Sequence, residues 1–143
     1  MLIATNGRGH VVKRATKPAI GTMLANLRQG NAHMVVERVE GERPGDWYIQ
    51  VLLRENNTYQ LEYRDGMAEQ HFQTMTVSQE KVLTALLGWA AAKPGWQDAF
   101  MWNNIGEQFS SSDHGANRAV VQLRDRCIVV GARGSSKAAS ASG

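Results

Sequence analysis

The sequence predicts an α+β fold: an antiparallel sheet of five or six strands with two helices packed on one face. Three observations carry that expectation. First, residues 47–77 (WYIQVLLRENNTYQLEYRDGMAEQHFQTMTV) hold three runs rich in aromatic and β-branched residues, separated by two turn signals. Second, those runs alternate: Trp47, Ile49, Val51 and Leu53 interleave with Tyr48, Gln50, Leu52 and Arg54. Tyr59, Leu61 and Tyr63 interleave likewise with Gln60, Glu62 and Arg64. Successive strand side chains point to opposite faces, so alternation predicts one packed face and one wet face. Third, two stretches carry apolar residues at helical spacing and are bounded by cap and stop residues. The expected order is β-β-α-β-β-β-β-α.

The first two strands are Met1 to Thr5 and His10 to Arg14, either side of Asn6-Gly7-Arg8-Gly9. Asn-Gly between two β-capable runs is a hairpin signal. A phosphate loop is the sharper reading of the same glycines, but the Lys-Ser/Thr of a P-loop is missing and no helix follows directly. Thr16-Lys17-Pro18 starts the first helix, because Thr caps well and Pro is tolerated in the first turn. Ile20, Met23, Leu24 and Leu27 give its apolar side, and Gly30 ends it. His33 to Val39 is the third strand, and 40–46 (EGERPGD) is an acidic turn.

The central meander follows, with hairpin turns at Glu55-Asn56-Asn57 and at Arg64-Asp65-Gly66. Ser78 caps the second helix, with Glu80 in its first turn, where negative charge suits the dipole. Val82, Leu83, Leu86, Trp89 and Ala90 form its stripe. Lys93-Pro94-Gly95 stops it, and Trp96 to Trp102 closes over one end of the core. The expected domain is 1–106. Residues 107–143 read as a low-complexity, partly flexible extension, with Val120 to Val130 as a further strand candidate.

The 143 residues suffice for one domain with a real core. A single cysteine, Cys127, excludes an internal disulfide and fits a reducing compartment. No apolar run approaches the roughly 20 residues of a membrane span, and no leader segment is recognised, so the expected location is the cytoplasm. The net charge of +3 is segregated. Residues 1–36 hold five bases and no acid (+5), residues 37–113 six bases and twelve acids (−6), and residues 114–143 five bases and one acid (+4).

Catalytic chemistry finds little support. The histidines at 10, 33, 71 and 114 stand far apart, and one cysteine cannot build a structural zinc site. Ser112-Asp113-His114 has triad residue types, but as neighbours in a polar loop. His71 reads as a satisfied structural histidine. Glu62, Asp65 and Glu69 read as a solvated strand edge more readily than as paired glycosidase carboxylates. Tyr59, Tyr63, Trp89, Trp96 and Trp102 read as core, leaving Tyr48 as the better candidate for an aromatic at the surface. No enzyme, cofactor or metal is therefore expected.

From Trp47 to Ile105 the chain resembles the Imm1-type immunity proteins of bacterial polymorphic-toxin systems. The matching pieces are Tyr48 to Leu53, Tyr59 to Arg64, Ser78 to Ala92 and Phe100-Met101-Trp102, less than half the chain. The resemblance implies a small cytoplasmic α+β protein, its twisted sheet followed by a helix and a closing Trp-containing strand, that covers a toxin. The run QLEYRDG, then HFQT and a helix ending in GWAA, is also similar to small actinobacterial proteins, which implies no function.

Three functional expectations follow. One is an intracellular immunity or inhibitor protein for a toxin or nuclease, meeting its protein partner through Glu40, Glu42, Asp46, Tyr48, Glu55, Glu62, Asp65 and Glu69. Another is a nucleic-acid-binding or regulatory module, using Arg8, Lys13, Arg14, Lys17 and Arg28 on phosphates. The third is a homo-oligomer assembled through an uncovered sheet edge.

Overall fold

The computed structural model describes residues 1–40 and 44–110. Its elements run β1 (Leu2–Asn6), β2 (Val11–Lys13), α1 (Lys17–Ala25), β3 (His33–Arg38), β4 (Asp46–Leu53), β5 (Tyr59–Gly66), β6 (His71–Thr76), α2 (Gln79–Ala90), β7 (Asn103–Asn104) and α3 (Glu107–Ser110). Among the described residues the strands form one open antiparallel sheet, ordered β2-β1-β3-β4-β5-β6-β7. The α+β architecture with an antiparallel sheet is as the alternation predicts. The sheet has seven strands, not five or six, and there is a third helix. The extra strand is only Asn103–Asn104, which pairs with Gln73 and Phe72. Two residues are too few to carry a period that sequence could reveal. The candidate strand at 120–130 and the Ser112-Asp113-His114 loop lie outside the described residues.

The helix side of the sheet is built from one row of the alternation. Ala4, Met34, Val36, Ile49, Val51, Leu61, Tyr59 and Tyr63 meet Ile20, Met23 and Leu24 of α1 and Val82, Ala85, Leu86 and Trp89 of α2 in one buried cluster. Tyr63 is stacked on Phe72 at 4.9 Å and meets Trp96 and Trp102 edge-on at 4.9 and 4.8 Å. These offset and T-shaped arrangements suit the aromatic quadrupole. The Trp96–Trp102 segment thus walls the core on the β6 side, as expected.

Local chemistry sets the element ends. The Thr16 hydroxyl accepts from the Ala19 N–H at 3.3 Å, and the Ser78 hydroxyl from the Lys81 N–H at 3.1 Å. Helix α1 stops at Ala25, earlier than the expected Gly30, because the chain reverses immediately afterwards. Arg28 and Asn31 exchange backbone hydrogen bonds of 3.1 and 2.8 Å across Gln29-Gly30, and Gly30 (φ 85°) takes the left-handed position of that turn. Asp65-Gly66 is also not a turn: β5 continues through Gly66, and the chain reverses over Met67–Gln70, closed by Gln70 N–H to Met67 O at 2.9 Å. Gly66 (φ 94°) allows close approach instead, since a β-carbon there would come within 2.8 Å of the Trp47 ring.

Candidate functional site

The face opposite the helices was expected to be wet. It is instead a buried polar layer. Strand register brings Arg64 opposite His71, Glu62 opposite Gln73, and Gln50 opposite Glu62. Their side chains form one hydrogen-bonded row. The Glu62 carboxylate accepts from His71 Nε2 at 2.8 Å and Gln50 Nε2 at 3.4 Å on one oxygen. On the other it accepts from Gln60 at 2.6 Å and Gln73 at 2.9 Å. Gln50 reaches His33 Nε2 at 3.2 Å. At the far end, Arg64 Nε donates to His71 Nδ1 at 3.1 Å, with the Tyr48 hydroxyl 3.4 Å from the same nitrogen. Exposures are 3% for Glu62, 1% for Arg64, 0% for His71 and 1% for Tyr48.

These contacts fix protonation states. A guanidinium N–H can only donate, so His71 Nδ1 is an acceptor and the ring is neutral, with its proton on Nε2 facing Glu62. Burial holds the His71 pKa below its ordinary value, and Arg64 adds to this against the opposing pull of Glu62. For Glu62, burial pushes upward but is outweighed by the hydrogen bonds donated by His71, Gln73 and Gln60, so its carboxyl stays below the usual range. One negative and one positive charge thus flank a neutral ring.

Helix α3 supplies cover. Gly106 docks so closely on the β5–β6 turn that a β-carbon would sit 2.6 Å from Glu69 O. The Ile105 N–H bonds His71 O at 2.8 Å, and Asn104 Nδ2 bonds Glu69 O at 3.1 Å. This latch sets Phe109 over His71, centroids 4.3 Å apart, with the Arg64 guanidinium 4.7 Å from the Phe109 ring. His71 is satisfied and buried, as expected. Two expectations are corrected: Glu62 is no solvated edge, and Tyr48 is not exposed. Register places both on the same buried row as Arg64 and His71, the two residues that Phe109 contacts. A carboxylate–imidazole pair can move protons in principle; here the His71 Nε2 proton is held by Glu62, while Arg64 Nη2 is buried without a hydrogen-bond partner.

The remaining sequence-predicted acids lie outside this layer. Glu40 follows β3, Asp46 opens β4, Asp65 lies near the end of β5 and Glu69 is in the turn that follows. The antiparallel register brings all four to one end of the three neighbouring strands. Exposed Met1, Val39 and Met67 lie at the same end. Glu55 sits at the opposite end, in the β4–β5 hairpin, and Glu42 is outside the described residues. The basic residues divide too. Arg8 and Arg28 line one groove at the end away from the acids, whereas Lys13, Arg14 and Lys17 lie along and after β2. From β2 to β5 there are four strand spacings, roughly 19 Å.

Among the described residues no group of histidine, cysteine and carboxylate side chains could hold a metal ion, and no helix is long and apolar enough to cross a membrane. Compared with protein-family models, curated proteins and solved structures, the chain matches none.

Proposed function

We propose that this is a non-catalytic, cytoplasmic binding protein of the immunity or inhibitor kind, which covers a basic toxin or nuclease with the acidic end of its sheet. The observation that carries the reading is the convergence of Glu40, Asp46, Asp65 and Glu69 at one strand end, around exposed Met1, Val39 and Met67. An apolar centre with a charged rim is the usual anatomy of a protein interface. Acidic rims speed encounter with basic partners and set register. The support beneath is rigid: Trp47 Nε1 bonds Pro44 O at 3.0 Å, and the Trp47 ring packs on Gly66. Self-assembly has less behind it, because the edge strands β2 and β7 are three and two residues long and offer few free backbone groups.

The test is affinity capture from nuclease-treated lysate of the source cell, washed at low and high salt, with the wild type beside Asp65→Lys/Glu69→Lys. The expected result is one protein partner held by the wild type at low salt and recovered about tenfold less by the variant. Equal recovery by both would sink the acidic-end reading. Nucleic acid recovered without nuclease, and nothing with it, would sink the inhibitor reading altogether.

A further inference from the structure

The other charged feature is a groove of about 490 Å³ between the β1–β2 turn, α1 and the Arg28–Asn31 turn. Its volume falls within the range of small-molecule sites. Its rim carries Arg8, His10 and Arg28, and no carboxylate lines it. Among the described residues neither guanidinium bonds to an acid or to a carbonyl. Two unpaired arginines facing one concavity repel each other, so the arrangement is relieved when an anion enters.

The groove is also pre-shaped. Asn6 Oδ1 accepts from the Arg8 and His10 N–H groups at 2.9 and 3.0 Å, fixing the turn that presents both side chains. Buried Asn31 ties the opposing walls together. Its Oδ1 accepts from Gly7 N–H at 3.1 Å and its Nδ2 donates to Asn26 O at 3.4 Å. The bland account is that Arg28 only offsets the carbonyl end of α1. Much of that end is already engaged: Thr22 O and Met23 O accept from Asn26 N–H, Leu24 O from Leu27 N–H, and Asn26 O from Asn31. Val12, Pro18 and Met23 add an apolar wall, and the free amide of Asn26 and hydroxyl of Thr22 can read polar edges.

We infer that this groove binds a nucleoside phosphate. The phosphate lies between Arg8 and Arg28, and the base lies against Val12 and Met23. Guanidinium groups suit phosphate because their N–H pairs match its oxygens. The ligand is either a free mononucleotide or the terminal phosphate of a nucleic-acid strand. The site is remote from the acidic end and is independent of the partner proposed above.

The test is titration of the full chain, followed by amide chemical shifts, with adenosine 5′-monophosphate, inorganic phosphate, and a short oligonucleotide with and without a 5′-phosphate. The same titrations are run on Arg8→Gln/Arg28→Gln and on Asp65→Lys/Glu69→Lys. The expected result is saturable binding of the mononucleotide with shifts at Asn6, Arg8, Val12 and Thr22. Affinity should fall about tenfold or more in the arginine variant and stay unchanged in the acidic-end variant. Both variants should keep the wild-type thermal midpoint, since Arg8, Arg28, Asp65 and Glu69 are all exposed. If only the 5′-phosphorylated oligonucleotide binds, the source is a strand end. The inference is overturned if no probe saturates, if the arginine variant binds as the wild type does, if inorganic phosphate binds as tightly as the nucleotide, or if the oligonucleotide binds equally without its terminal phosphate.

Discussion

The two faces of one sheet solve burial in opposite ways. On the helix side, Ile49, Val51, Leu61 and Met34 meet α1 and α2 through contacts with no preferred direction. On the other side, Tyr48, Gln50, Glu62, Arg64 and His71 are equally buried, but each depends on a particular atom of a neighbour. Apolar packing degrades gradually when a side chain changes shape at constant volume. A buried polar network is all-or-none, because a donor stripped of its acceptor keeps its full desolvation cost. The helix face therefore holds the fold, and the polar face specifies one arrangement of β4, β5, β6 and α3.

The sharpest way to break this comparison is the isosteric change Glu62→Gln. It replaces the oxygen that accepts from Gln60 and Gln73 with an NH₂ group. Gln60 cannot flip freely, because its own oxygen accepts from Arg54 Nη1 at 2.5 Å. The negative charge that balances Arg64 across His71 is lost as well. We expect a loss of about 3 kcal/mol by denaturant unfolding, the scale for orphaning buried polar groups. A loss under about 1 kcal/mol would mean the network adjusts as readily as the apolar face.

Acid attacks the same layer without mutation. His71 is held below its ordinary pKa near 6.5, so beneath that pH the unfolded chain binds a proton that the folded chain refuses. Glu62 behaves alike below about 4.5. In both cases the unfolded state takes up more protons, so stability falls as pH falls. Thermal midpoints should drop from about pH 6.5 downward, with a second loss below pH 4.5. In His71→Gln the upper step should vanish. An upper step of unchanged size would remove His71 as its cause.

On the helix face, Leu61→Met is the matched control for Glu62→Gln, one position along the same strand. Volume and polarity are nearly kept, so less than about 1.5 kcal/mol should be lost. A loss as large as that of Glu62→Gln would erase the distinction between the faces.

The sequence revealed these faces unequally. Alternation in 47–64 placed Ile49, Val51, Leu61 and Tyr63 on one face, and the helical stripes placed Ile20, Leu24, Val82 and Leu86 above them. The opposite row reads as wet because Gln, Glu and Arg ordinarily are. A signal was present: Glu62, Arg64 and His71 are complementary groups on paired strands. Register is needed to see that they meet, and the two-residue hairpin shift at Asp65-Gly66 hides it. Their cover was less visible still. Phe109 lies beyond residue 106, where composition turns to Ser and Gly, and a four-residue helix has no period. The acidic end was legible as residues, but its convergence follows only from the antiparallel order of β3, β4 and β5.

The smallest expected effect touches neither face. Helix α2 ends with Lys93 N–H on Gly88 O at 2.9 Å and Ala92 N–H on Trp89 O at 3.0 Å, the two bonds of a Schellman motif. The left-handed position of that motif is filled by Ala92 (φ 54°), not by a glycine. An L-residue is strained there by its own β-carbon and the following carbonyl. Ala92→Gly removes that strain at an exposed site and costs some unfolded-chain entropy in return. A net gain of about 0.5–1 kcal/mol is expected. Both faces of the sheet are untouched, so the gain should be the same at pH 7 and pH 5. A pH-dependent gain would couple the end of α2 to the Glu62–His71 layer, through β5 and β6, and would dissolve the independence of the two faces.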